Sequence, residues 1–108
     1  MQKLTLSFPA GMPARGRALA GVVGSGDLEV LVEPGPEGQT LVSVSTSVDG
    51  SDAFWQAVLG RILGNGEQPA TRMDIHDFGA TPGVIRMRIE QVLEELREQD
   101  EKQGETVS

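Results

Sequence analysis

Residues 40–63, TLVSVSTSVDGSDAFWQAVLGRIL, change their hydrophobic period in mid-course. Over residues 40–48, Val42, Val44 and Val48 fall on one side, with Ser43, Ser45 and Ser47 on the other, the two-residue period of a half-buried strand. Asp49-Gly50-Ser51 breaks that pattern. Phe54, Trp55, Val58, Leu59, Ile62 and Leu63 then recur at three- and four-residue spacing, which is helical. Ser51 stands where its hydroxyl can take an orphan amide of the first turn. Gly64-Asn65-Gly66 ends the helix, because either glycine accepts the left-handed geometry that follows a last turn.

Upstream of this switch the chain reads as strands. In residues 2–8, Leu4, Leu6 and Phe8 share one face and Lys3, Thr5 and Ser7 the other, and Pro9 with Gly11-Met12-Pro13 stops the run. Residues 17–23 form a second strand ending in Val22-Val23. Gly24-Ser25-Gly26-Asp27 is a dense turn signal. Residues 28–33 set Leu28, Val30 and Val32 against Glu29, Leu31 and Glu33, so the second and third strands form a hairpin around Ser25. Pro34-Gly35-Pro36-Glu37-Gly38 leads into the fourth strand.

Downstream, residues 70–78 read as a fifth strand with Met73 and Ile75 inward. Thr81 caps a last helix with Pro82 at its first position. Its buried stripe is Ile85, Ile89, Val92, Leu93 and Leu96. Val84 to Ile89 also alternates like a strand, but the cap and the continuation to Leu96 favour helix. Residues 99–108 carry no pattern and read as a flexible polar tail. Strands precede helices in the order ββββαβα. That order predicts an α+β fold: an open, largely antiparallel sheet of about five strands with two helices packed on one face. Residues 1–98 form the single expected domain.

With nine Lys and Arg against sixteen Asp and Glu, the 108-residue chain has a net charge of −7. That surface repels phosphate backbones and argues against nucleic acid as a partner. No apolar run approaches the roughly 20 residues of a membrane span, and the N-terminus lacks a signal-peptide core. A cytoplasmic location and no membrane insertion are expected. The chain has no cysteine, so any thiol it uses must come from a cofactor.

Few residues suggest chemistry. Glycines on either side of Ser25 permit unusual backbone angles and leave its hydroxyl unhindered for a modifying enzyme; Gly and Ser are also what hairpin turns use. A G-x-S-x-G nucleophile elbow would need glycine at positions 23 and 27, which hold Val23 and Asp27, so a serine hydrolase is not indicated. Asp74 and His76 share a strand face while Asp77 points the other way, which makes a poor metal site. The Thr81-Pro82-Gly83 helix start, followed by Arg86 and Arg88, suits an anion or is an ordinary capped helix whose arginines pair with nearby Glu. Glu94, Glu95 and Glu98 form a solvated face.

Two long segments together resemble one family, the malonate decarboxylase acyl-carrier (delta) subunits. The first is Pro13-Ala14-Arg15-Gly16-Arg17-Ala18-Leu19, then Gly21-Val22-Val23-Gly24-Ser25-Gly26-Asp27-Leu28-Glu29-Val30-Leu31. The second is Asp74-Ile75-His76-Asp77-Phe78-Gly79-Ala80-Thr81-Pro82-Gly83-Val84, leading into Arg86-Met87-Arg88. The resemblance runs from about Leu4 to Leu96. A fainter one reaches the citrate lyase carrier (gamma) subunit through Ala20-Gly21, Ser25-x-Asp27, Gly79-Ala80 and Arg86-x-Arg88. The resemblance implies that Ser25, in a turn supported by Gly24, Gly26 and Asp27, carries 2'-(5''-phosphoribosyl)-3'-dephospho-CoA through a phosphodiester, with acetyl and malonyl thioesters formed on its thiol.

The chain would then be non-catalytic. Its implied partners are the acyl transferase, malonyl transferase and decarboxylase subunits and the prosthetic-group transferase. Asp27 is expected to assist attachment or orient the turn. Gly79, Thr81, Gly83, Arg86 and Arg88 are expected to form a partner or phosphate contact. The competing readings are a citrate lyase-type carrier and a small acidic interaction module with no covalent group.

Overall fold

In this computed structural model the described residues are 2–20 and 27–105. They form β1 (Gln2–Pro9), β2 (Ala18–Ala20), β3 (Leu28–Pro34), β4 (Gln39–Thr46), α1 (Asp52–Leu63), β5 (Thr71–Asp77) and α2 (Pro82–Glu105). The order is the expected ββββαβα. One five-stranded sheet runs β1-β4-β5-β3-β2. Three neighbouring pairs are antiparallel, β1 with β4, β2 with β3 and β3 with β5, and only β4 and β5 run parallel. Helix α1 supplies the long connection that a parallel pair requires.

Strand register lines the inward side chains into rows that cross the whole sheet. One row is Leu6, Val42, Met73, Val32 and Ala18; the next is Leu4, Val44, Ile75, Val30 and Ala20. Trp55, Leu59 and Leu63 of α1 and Ile85, Ile89, Val92 and Leu96 of α2 complete one buried cluster over these rows. Helix α2 lies over β2 and β3 while α1 lies against β1. The rows end in alanine at β2, and that small side chain lets the long helix sit close to the edge strand. The opposite face carries Lys3, Thr5, Ser43, Asp74, His76 and Leu31 and is uncovered by either helix.

Several local expectations differ from the structure. Val48, expected inward, is 50% exposed, because β4 stops at Thr46. The Thr46 hydroxyl accepts the Val48 amide at 3.1 Å and the chain turns through Gly50 at φ 73°, so the alternation ends two residues early. Ser51 occupies the N-cap position but makes no side-chain cap bond; its hydroxyl donates to the Val48 carbonyl at 3.1 Å instead. Gln2 fastens this turn, accepting from the Gly50 amide and donating to Asp52, each at 3.0 Å. Phe54 lies at the rim of the apolar stripe, exposed, edge-on to Trp55 with ring centroids 5.6 Å apart.

At the other end of α1, Gly64 stays right-handed and Gly66 takes the positive φ of 75°. The strand expected over 17–23 is observed at Ala18–Ala20, and its remainder, 21–23, lies outside the described residues. Helix α2 passes position 98, where a polar tail was expected, and continues to Glu105. Its extension is rich in Glu, Gln and Lys, good helix formers, and Gln99 pins it by donating to the Arg17 carbonyl at 2.8 Å.

Candidate functional site

Strand directions converge on one end of the sheet. Leu28 at the start of β3 is in register with Asp77 at the end of β5, Asp77 with Thr46 at the end of β4, and Thr46 with Gln2 at the start of β1. The turns 47–51 and 78–81 therefore lie at this end, and so do the N-termini of α1 and α2. The segment joining β2 to β3 opens here too, since β2 leads into it from Ala20 and β3 leaves it at Leu28. Gly24, Ser25 and Gly26 belong to that segment and lie outside the described residues.

Asp27 is the described residue beside them, and it is tied down on three sides. Its carboxylate accepts the backbone amide of Leu28 through Oδ1. Its Oδ2 accepts from Arg88 Nη2 at 3.3 Å, with the two side chains 31% and 20% exposed. Its carbonyl accepts the Phe78 amide at 2.8 Å. A charge-assisted contact to α2 and a main-chain bond to the β5–α2 turn thus fix where the Ser25 segment rejoins the sheet.

The residues expected to act together in the second segment are partly separated. Arg86 and Arg88 stand about 200° apart around the helix. Arg88 turns in to Asp27, whereas Arg86 faces outward and pairs with Glu90 at 3.5 Å, both exposed. The Nε of Arg88 is buried with no acceptor among the described residues. Thr81 caps α2 as expected, its hydroxyl accepting the Val84 amide at 3.3 Å. Gly79 needs to be glycine, at φ 107°. Gly83 does not, since an added Cβ would meet nothing within 4 Å.

Sequence reasoning places Asp77 on the inward face but misses what it does there, and it misses Thr46 altogether. Asp77 is buried and accepts the Gly79 amide at 3.1 Å and the Ala80 amide at 2.9 Å. Thr46, also buried, donates its hydroxyl to Asp77 at 2.8 Å. The spacing Asp77-x-Gly79 is an Asx-turn signature, so part of this was available from sequence.

As expected, Asp74 and His76 point to the open face and Asp77 to the core. His76 Nδ1 lies 3.9 Å from Glu29 Oε1. Among the described residues no three His, Cys, Asp or Glu side chains gather as metal ligands. No described helix is long and apolar enough to cross a membrane. The larger grooves lie towards the other end of the molecule. One of about 490 Å³ runs along α2 between Gln91, Glu94, Glu95, Glu98 and Gln99, and its carboxylates would repel an anionic ligand.

Comparison with known proteins gives concordant results. Residues 15–96 match the family described as Malonate decarboxylase delta subunit (MdcD). The malonate decarboxylase acyl carrier protein of Azotobacter vinelandii is 57% identical over 96 residues, covering 89% of this chain and 97% of the relative. That of Pseudomonas paraeruginosa is 59% identical over 95 residues, covering 88% and 96%. A chain from the crystal structure of a Pseudomonas malonate decarboxylase hetero-tetramer in complex with malonate superposes with a TM-score of 0.83 at 56% identity, covering 89% of this chain and 99% of that one.

Proposed function

This chain belongs to the malonate decarboxylase delta-subunit family, the non-catalytic acyl carriers of a multi-subunit enzyme, and from that premise we propose that Ser25 is the point at which it holds its prosthetic group. The group is 2'-(5''-phosphoribosyl)-3'-dephospho-CoA, joined to the serine oxygen by a phosphodiester. When bound it supplies the thiol that a chain without cysteine lacks. The observation that supports this reading is the anchoring of Asp27, two residues after Ser25, at a sheet end where two helix N-termini lie.

The residues present fit such a group. Free amides and the positive dipole end favour a phosphate at a helix start. Arg88 adds a cation whose Nε still lacks an acceptor among the described residues. We assign the phosphate contact to Arg88 and the start of α2 at Thr81 and Gly83. The Gly79 and Ala80 amides are taken by Asp77, so Gly79 serves by shaping the turn, and Thr81 holds the helix start through its cap. Arg86, exposed one turn from the helix start, faces partner subunits. Gly24 and Gly26 keep Ser25 accessible, and Asp27 orients the turn.

The contribution of the chain is positional. A tether converts encounters with separate active sites into intramolecular ones at high effective concentration. The partners are the acyl transferase, malonyl transferase and decarboxylase subunits and the prosthetic-group transferase. Net charge −7 suits brief docking on basic faces, and we place that docking in the cytoplasm.

The test is reconstitution. The subunits of the complex are assembled with either the wild-type carrier or Ser25→Ala. The variant is expected to join the complex and abolish malonate-dependent release of carbon dioxide. Turnover retained by Ser25→Ala would leave an interaction module as the better account.

A further inference from the structure

The inward positions of β5 are Thr71, Met73, Ile75 and Asp77. An apolar side chain would suit the last of these better than a carboxylate, whose burial is costly unless its oxygens are hydrogen-bonded. Asp77, 6% exposed, meets that demand with three partners. Its Oδ2 accepts from Thr46 Oγ1 at 2.8 Å, and its Oδ1 accepts the amides of Gly79 and Ala80 at 3.1 and 2.9 Å. Thr46 extends the chain of contacts by accepting the Val48 amide at 3.1 Å. One buried carboxylate therefore joins the turn after β4 to the turn after β5.

The amide just before this pair points elsewhere. Phe78 N donates to the Asp27 carbonyl at 2.8 Å. Three successive amides, 78 to 80, thus fasten Asp27 with the first and Asp77 with the other two. The φ of 107° at Gly79 gives the turn a geometry that most side chains would strain. Whatever holds residues 79 and 80 also holds the bond to Asp27, two residues after Ser25.

We propose that Asp77 is a positioning residue for the carrier serine: through the 78–80 turn it fixes the backbone at Asp27, and so the place at which Ser25 meets the enzyme that modifies it. The proposal rests on the Ser25 reading for its consequence, but its structural core can be measured without it. Asp77→Ala removes all three bonds. Asp77→Asn keeps an oxygen for the Gly79 and Ala80 amides. Thr46→Val removes one of the three bonds to Asp77, together with the acceptor of the Val48 amide, while keeping the shape. Leu63→Ala, at the last turn of α1 and the far end of the sheet, is a control for lost stability alone.

Two readouts are made on the full chain. In the unmodified protein, hydrogen exchange at the Phe78 amide should quicken about tenfold or more in Asp77→Ala, but not in Leu63→Ala beyond its share of lost stability. With the purified transferase and its cofactor precursor, kcat for loading Ser25 should fall about tenfold or more in Asp77→Ala and recover to within about threefold in Asp77→Asn. Leu63→Ala should load as wild type. If Asp77→Ala fails to fold, Thr46→Val takes its place, with a loss of a few-fold expected. The proposal is overturned if the Phe78 amide and kcat are unchanged, or if loading follows melting temperature alike at positions 63 and 77. Should the wild-type chain itself not be loaded at Ser25, that reading fails separately, and the exchange result still decides the role of Asp77.

Discussion

Arg88 on α2 reaches back 61 positions in the chain to Asp27, its Nη2 lying 3.3 Å from Oδ2. This contact ties the long helix to the residue at which the described chain resumes after the Ser25 segment. Neither side chain is more than a third exposed, so water screens the pair only in part.

Breaking that pair should cost more than its exposure suggests, because each partner leaves the other incompletely satisfied. Arg88→Met is expected to lower stability by roughly 1–2 kcal/mol. Asp27→Asn in the same background should add less than it costs alone, since the two share one interaction. Urea denaturation of the four forms measures this; strict additivity would mean the contact contributes nothing.

Asp27→Ala should remain folded and yet be loaded at Ser25 more slowly than wild type, as Asp27 fixes where the chain enters β3. Initial rates of modification by the transferase decide this. A rate equal to wild type in a folded variant would remove Asp27 from the site.

Arg86 offers the opposite profile. Its pair with Glu90 is exposed on both sides, and such pairs contribute about 0–1 kcal/mol. Arg86→Ala should leave the melting curve almost unchanged, and its effect should appear as weaker assembly with the partner subunits. A large loss of stability would show that Arg86 is structural.

The glycines of the second segment should separate cleanly. Gly79→Ala is expected to cost about 1–2 kcal/mol, since alanine is strained at positive φ. Gly83→Ala sits in α2 with open space around an added methyl and should be neutral or stabilising by up to about 1 kcal/mol. Equal effects at the two positions would contradict the backbone geometry described for the β5–α2 turn.

In the core, Ile89→Ala should cost roughly 2–5 kcal/mol as a cavity under the helix. Met87→Ala, two residues away but exposed, should stay within about 0.5 kcal/mol. Denaturant midpoints compare the two directly.

The inward rows were legible from alternation alone. Leu4, Leu6, Leu28, Val30, Val32, Val42, Val44, Met73 and Ile75 are all buried, because a two-residue period needs no knowledge of neighbours. Strand order was not legible. Nothing in the residues of β4 and β5 announces that they run parallel, since that depends on where α1 returns the chain. Val48 was misread because the alternation continues on paper past the point where Thr46 bends the backbone. The helix beyond residue 98 was missed for lack of an apolar stripe, and Gln99 bound to the Arg17 carbonyl is a contact no local pattern contains. At the site, Ser25 is proposed on the strength of the resemblance, since its flanking glycines suit an ordinary turn equally well; the Arg88–Asp27 pair and the Thr46–Asp77 bond join residues far apart in sequence. Only the Asp77-x-Gly79 turn left a local trace.

The most direct test of the account is the intact mass of this chain made together with its own cofactor-synthesis and transfer enzymes. The account predicts an increase matching phosphoribosyl-dephospho-CoA, mapped to Ser25 by peptide fragmentation and absent from Ser25→Ala. An unmodified mass under those conditions, or the same increase on another residue, would contradict it.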